Sequence, residues 1–457
     1  MSARSLLAAA ACLLLAGCRV DQAAEVRAYR SVLDRGLPPP APVDGAEPLD
    51  TQAAMRLANE RNESLGIAGE AYVRALVDQR RAAAAWLPVL ELSPSYFLRD
   101  DGGGTDDGVD VAASGSLDVN PVGASADRRR AAVEIERTRA FLYGAQDALL
   151  FDVARTLFEV LRSERSAAVL RASLEVQQAR VDDVRARRDV GFARPLDVSL
   201  SESNMADARV GLLNAESNAR TGRSLLGFLI GADVTATPLD GALAIPDELP
   251  QLDELVQVAQ VRRQDVLAAA LGVGVAEEQA ELAAAQWWPS LAVDVDYFLT
   301  RDSQPTDSDW DSLVALHLPL FNGGRIRADV RDALSLLRAA RLDSARTQRA
   351  AQRDVEVALE NLLTSADRIA ELRVQLGTAT EALAQAEGLY DAGLATNLER
   401  LTAQDDQLRT ELLLESAELE RKVFYLDLLR TTGGLHAWLG LIRPGDPGAE
   451  EEHAEAR

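Results

Sequence analysis

Apolar positions recur along this chain in two periods, and the changes from one to the other outline its elements. From Asp50 or Thr51, which can cap a helix, to about Trp86 the residues read as one helix, and Pro88 ends it. Leu90, Leu92, Pro94, Tyr96 and Leu98 then alternate with Glu91, Ser93 and Ser95, which predicts a strand over about 89–98 with one apolar face. After the loop RDDGGGTDDG, Val109, Val111, Ala113, Gly115, Leu117 and Val119 alternate with Asp110, Ser114, Ser116 and Asp118, a second strand over 109–119. Pro121 and Gly123 punctuate the chain, and residues 124–190 follow, 67 positions without proline and with Gly144 as the one glycine. As a continuous helix this run would rise roughly 100 Å. Gly191 and Pro195 break it, and a helix of about 35 residues leads to Gly231.

The same order then recurs. A helix is expected from Arg262 to Trp287. Leu291, Val293, Val295, Tyr297 and Leu299 alternate with Asp294 and Asp296 over 290–299, and a fourth strand over 310–320 closes in LPLFNGG. Residues 325–390 run 66 positions without proline, and DAGLATNLER stands where DVGFARPLDV stood. Pro88 and Pro289, Leu90 and Leu291, and Tyr96 and Tyr297 are each 201 positions apart, and Gly191 and Gly393 are 202 apart. The chain therefore reads as two internal repeats, 50–250 and 251–440. In the second long run Ile369, Leu372, Leu376, Ala379, Leu383, Ala386 and Tyr390 step by three and four, the seam of a coiled coil, although an ordinary bundle core would step alike. Each long run is matched by two shorter helices, before and after it, as in a helical wall of constant thickness.

Composition bears on partners and chemistry. The 457 residues carry a formal charge of −24, which argues against nucleic acid as a partner. Nearly every cation is arginine; Lys422 is the one lysine. His317, His436 and His453 stand apart without metal or triad spacing, and Gly323-Gly324 lacks the lysine of a phosphate loop, so no catalytic residue, cofactor or metal site is expected.

The N-terminus is more specific. Basic MSARS precedes the apolar core LLAAAACLLLA, too short to span a bilayer as a helix. The core ends at Leu15-Ala16-Gly17-Cys18, which resembles the cleavage box of bacterial lipoproteins. That resemblance implies removal of residues 1–17 as a signal peptide and lipidation of Cys18. Arg19, in place of an aspartate, favours the outer membrane. Cys12 leaves with the leader, so the mature chain would hold no disulfide. Residues 18–49 form a proline-rich N-terminal segment, with 37–48 as an extended linker, and 441–457 form an acidic tail.

Each predicted strand has about ten residues and one apolar face, the length of a tilted strand crossing a bilayer. Soluble sheets alternate too. Four strands cannot close a barrel, and open edges are not tolerated in lipid, so the membrane reading requires an oligomer that pools its strands. The competing reading is a periplasmic coiled-coil scaffold lipoprotein without a pore, which has no use for four such strands at matching points of a duplication.

Taken together, the architecture, WLPVL, LPLFNGG and the two glycine breaks resemble the TolC-type outer-membrane efflux proteins, particularly their lipoprotein branch, over roughly residues 50–440. The resemblance implies a mainly α fold with transmembrane β: a homotrimer whose long antiparallel coiled-coil helices form a periplasmic barrel and whose strands, four per chain, form a 12-stranded β-barrel in outer-membrane lipid. It implies an exit duct working with a periplasmic adaptor (membrane fusion) protein and an inner-membrane pump, with nucleic acid playing no part. Adaptor-contact tips would fall at Gly191, Phe192, Ala193, Arg194, Pro195 and Leu196, and at Gly393, Leu394, Ala395, Thr396, Asn397 and Leu398. The periplasmic gate would use Asp197, Tyr390 and Glu399, with a bond between Tyr390 and Asp197. Two further gate positions of the family hold Ala395 and Thr402 here, a departure from its pattern. Locally, the glycines suit helix C-caps and the two acids suit helix N-termini.

Overall fold

The computed structural model describes residues 20–37, 48–100, 105–302 and 308–444; Cys12, Cys18 and the whole segment expected to be a signal peptide, with most of the 37–48 stretch and of the acidic tail, lie outside them. Helix α1 (Gln22–Leu33) precedes the first repeat, which runs α2 (Thr51–Arg61), α3 (Glu63–Ala84), β1 (Val89–Asp100), β2 (Thr105–Val119), α4 (Pro121–Asp189) and α5 (Pro195–Ile230). The second runs α6 (Leu252–Arg262), α7 (Gln264–Ala285), β3 (Ser290–Arg301), β4 (Trp310–His317), α8 (Arg325–Asp391) and α9 (Asn397–Thr431), and α10 (Leu435–Leu439) follows.

Several elements differ from expectation. The helix expected from Thr51 to Trp86 is two helices, because Asn62 is extended (φ −71°, ψ 123°). Its Oδ1 caps the next helix, accepting from the Ser64 and Leu65 N–H groups (2.9 and 3.3 Å), its backbone N–H closes α2 on Ala58 O (2.9 Å), and Nδ2 donates to Leu229 O of α5 (2.9 Å). The second repeat breaks at the equivalent point, Arg263 (φ −67°, ψ 126°), so α6 precedes a helix that begins at Gln264 rather than Arg262. Pro121 does not stop α4; it opens it, at the position where the missing N–H costs nothing, and Asn120 Oδ1 accepts from Gly123 N–H (3.0 Å). Helix α1 lies in the N-terminal segment ahead of the 37–48 stretch expected to be extended, where no helix was expected; Asp21 caps it through Ala23 N–H (3.1 Å), and Tyr29 and Leu33 are buried. Strand β4 stops at His317, short of the expected 320, with Pro319 beyond.

The chain divides into two compact units. One holds residues 67–142 and 264–348 with the N-terminal part of α1. Its sheet is antiparallel in the order β1-β2-β3-β4. The pairs Leu90↔Gly115 and Leu291↔Leu316 show that the two hairpins share a register at the offset of 201 (291 − 90 = 316 − 115). One face collects Leu90, Leu92, Leu117, Val293, Val295, Val314 and Leu316; the other aligns Glu91, Ser114, Asp296 and Asp311 in one cross-strand row. Leu90 is 81% exposed and Leu316 70%, so the apolar face has no cover among the described residues. Also in this unit, α1 runs antiparallel to α3: Tyr29 packs on Gly69, while Val20 and Ala24 line a cavity with Val73, Val77 and Arg80.

The other unit holds residues 31–66, 143–263 and 349–457. Leu57, Leu150, Leu157, Phe158, Leu226, Ile230 and Leu426 are buried together from α2, α4, α5 and α9, at about 1.5–3 kcal/mol each. A second cluster joins Leu255 and Ala259 of α6 to Leu362 and Leu428. Ala58 and Ala259, 201 positions apart, are both fully buried, so the repeats also share their packing.

Candidate functional site

The two turns that end α4 and α8 lie in the second unit and are built alike. Gly191 (φ 85°) and Gly393 (φ 76°) adopt the left-handed region, and a Cβ would meet nothing there, so conformation rather than space selects glycine. Phe192 N–H donates to Arg187 O (2.7 Å) and Gly191 N–H to Arg188 O (2.9 Å); Leu394 N–H donates to Leu389 O (2.8 Å) and Gly393 N–H to Tyr390 O (3.0 Å). These paired bonds make each turn a Schellman cap. Such caps commonly tuck the residue after the glycine onto the preceding helix. Here Phe192 is 86% exposed and Leu394 78%, and Leu196 (55%) and Leu398 (57%) are exposed beside them. Both turns therefore present two apolar side chains that no described residue covers; Ala193 and Ala395 lie half-buried between them.

The next helices start differently. At α9, Thr396 is a capping residue: Glu399 N–H donates to its Oγ1 (3.3 Å), and the Glu399 carboxylate accepts from the Thr396 N–H (2.7 Å) and hydroxyl (2.9 Å). The backbone N–H, and then the hydroxyl, hold the exposed Glu399 carboxyl below its ordinary range. At α5 the equivalent residue is Arg194, which has no acceptor to offer, and Pro195 fills the first helical position. Asp197 accepts from the Arg194 N–H (2.9 Å) and from its guanidinium (2.9 and 3.1 Å). The guanidinium is the chief reason that the Asp197 carboxyl, itself buried, titrates below its ordinary range.

Asn397 joins the two turns. Buried at the start of α9, it donates through Nδ2 to Asp197 O and Ser201 Oγ (3.1 Å each), and its Oδ1 accepts from Arg400 (2.9 Å). Tyr390 does not meet Asp197. Its ring is contacted by two guanidiniums, Arg400 at 4.1 Å and Arg187 at 4.8 Å from its centre. Arg187 also donates to Asp391 (2.7 Å), and Arg180 is held by Glu387 and Gln404. Burial pushes the Arg180 and Arg400 guanidiniums below their usual range, and the charge of Arg400 adds to the effect on Arg180. Sequence reasoning missed this arginine cluster. At the two divergent family positions, Ala395 donates its N–H to Leu389 O (3.2 Å) and Thr402 its hydroxyl to Leu398 O (2.9 Å). The site thus offers exposed apolar side chains, one exposed carboxylate and a set of buried cations that brace the turns.

The model of the outer membrane efflux protein family matches residues 255–434. Outer membrane protein OprJ of Pseudomonas aeruginosa is 27% identical over 312 residues, 64% of this chain; the match spans 62% of OprJ's length. Pyoverdine export outer membrane protein OpmQ of the same species is 28% identical over 421 residues, 87% of this chain and 85% of OpmQ. Among solved structures, the Campylobacter jejuni CmeC outer membrane channel has a TM-score of 0.77 at 14% identity, covering 89% of each chain.

Proposed function

The chain carries the fold and the family segment of the TolC-type outer-membrane efflux proteins, and on that premise we propose that it is the outer-membrane channel of a tripartite export system, a passive exit duct. The observation that carries this reading is the four-stranded sheet, with an uncovered apolar face and two unpaired outer edges. Three copies, pooling four strands each, would close a 12-stranded barrel with that face toward lipid and the row of Glu91, Asp296 and Asp311 toward water. The long helices would line a periplasmic tunnel. A periplasmic scaffold would leave the apolar sheet face without a purpose.

Lipidation at Cys18 is supported by the course of α1, whose first residues lie against Arg80, a short step before the strand entry at Trp86 and Leu87. Phe192, Leu196, Leu394 and Leu398 would be covered by the helical hairpins of a periplasmic adaptor, itself bound to an inner-membrane pump that supplies the work and selects the cargo. Glu399, repeated three times about the pore axis, would narrow the entrance and favour cations, and Tyr390 and Asp197 would belong to the same gate through the arginines that hold each of them.

The test is conductance of the purified protein in a planar bilayer, with Glu399→Ala alongside. A small cation-selective conductance that Glu399→Ala enlarges or makes less selective is expected. Failure to form a trimer or to insert into membranes would overturn the reading in favour of the scaffold.

A further inference from the structure

Helix α1 is closed against α3 at one end and open at the other. At the closed end the Tyr29 ring lies over Gly69, so near that a Cβ on this glycine would meet ring carbons at 2.4 and 2.5 Å. Toward the N-terminus the helices part. Val20, Ala24 and Ala28, spaced by four, share one face and line a cavity of 560 Å³ with Val73, Leu76 and Val77 of α3. Packed helices leave few voids larger than a water molecule, and apolar cavities take up apolar ligands. The polar members of the lining are Asp21, engaged as the cap of α1 and with Arg27 (3.3 Å), Glu25, and Arg80, which forms no ion pair among the described residues. The cavity also lies where the described chain begins. Val20 is the first described residue and is 69% exposed, and Cys18 stands two positions before it, within about 7 Å at full extension.

We propose that the cavity between α1 and α3 seats one acyl chain of Cys18, with the Arg80 guanidinium donating to the carbonyl oxygen that joins the chain to its carrier. The proposal rests on the lipidation reading. From Val73 to Arg80 the lining of α3 runs about 10 Å, so it takes up part of one chain and leaves any others to the bilayer. The seated chain completes the contact that Tyr29 and Gly69 begin. A helix of 12 residues is marginal alone in water, and half of α1 faces the cavity rather than a packed neighbour. Acylation therefore holds α1 in place as well as holding the protein at a membrane.

The test uses the full chain from cells fed a fatty acid that carries a photoactivatable diazirine, which enters the acyl chains of lipoproteins and phospholipids alike. After irradiation of isolated membranes, trypsin frees residues 75–80, which hold Leu76 and Val77, as one peptide between Arg74 and Arg81. Mass spectrometry then reads that peptide and Cys18. A cross-link from the Cys18 acyl chain to residues 75–80 is expected, and Val77→Trp, which fills the cavity, should lower it several-fold with acylation unchanged. Cross-links from Cys18 to phospholipid alone would overturn the seat and leave the lipidation reading standing. A phospholipid chain on residues 75–80, or a covalent dimer in a denaturing gel, would give the cavity another occupant and overturn it too. A Cys18 without acyl groups would overturn both readings. Hydrogen exchange checks the consequence independently. Cys18→Ser, secreted behind an ordinary cleaved leader, should exchange the α1 amides several-fold faster than the acylated chain with those of α4 unchanged; equal exchange in α1 would overturn the seat.

Discussion

The turn after α4 and the turn after α8 share a backbone and differ in chemistry. Each uses a left-handed glycine and exposes two apolar side chains, so what a partner would touch is duplicated. What holds the next helix in place is not. At the second turn a threonine and a glutamate cap one another and leave the carboxylate in water. At the first, an arginine occupies the capping position, and an ion pair buries the aspartate. The repeats share the surface and differ in the support beneath it, the division that the proposed roles, contact at the shared part and gating at the part that differs, would require.

Phe192→Asp or Leu394→Asp should abolish export of the system's cargo by whole cells while trimer abundance stays constant; loss of the trimer would refute the contact role, and loss of export from one variant alone would show that the turns are not equivalent. Next in size is Asn397→Ala, which removes the link between the turns and leaves the buried Arg400 short of an acceptor. A cost of about 1–3 kcal/mol is expected in thermal unfolding. Tyr390→Leu would leave Arg187 and Arg400 facing one another without the ring, a loss of about 0.5–2 kcal/mol, and should raise single-channel conductance. Unchanged conductance would remove Tyr390 from the gate. Thr396→Ala should cost about 1 kcal/mol, while Arg194→Ala, which keeps Pro195 and the backbone, should cost less by the same melts. The smallest effect is acid sensitivity. The folded-state pKa values of Asp197 and Glu399 are lowered, so their stabilisation is present above the unfolded values, near pH 4, and is lost as pH falls through the folded ones. Asp197→Asn should flatten the acid limb of a stability–pH curve more than Glu399→Gln, because Asp197 is buried and Glu399 exposed.

The sheet, the long helices and the turn glycines were legible in the sequence because each depends on neighbours a few residues away: alternation for a strand, absence of proline for a helix, Gly191 and Gly393 for a left-handed bend. The breaks at Asn62 and Arg263 were not, since one extended residue leaves the helical spacing intact on both sides. Asn62 carried a usable signal, a capping residue followed by Glu63, whereas Arg263 carried none. Helix α1 was legible in Asp21 and in the Val26, Tyr29 and Leu33 spacing, but the prolines that follow outweighed it. The arginine cluster lay beyond sequence reasoning: Arg180 and Arg400 are 220 positions apart (400 − 180), and only the fold brings them together.

The two unpaired sheet edges also govern how the protein reaches its working state. A single chain cannot enter the bilayer without exposing the N–H and C=O groups of β1 and β4 to hydrocarbon, at several kcal/mol for each group left unpaired. In the proposed trimeric duct, insertion would be coupled to meeting two other copies, and its rate would climb steeply with protomer density. Gathering chains on one membrane surface by a tether confines that encounter to two dimensions and raises the local density. Dilution, or loss of the tether, should slow maturation long before it affects the finished channel.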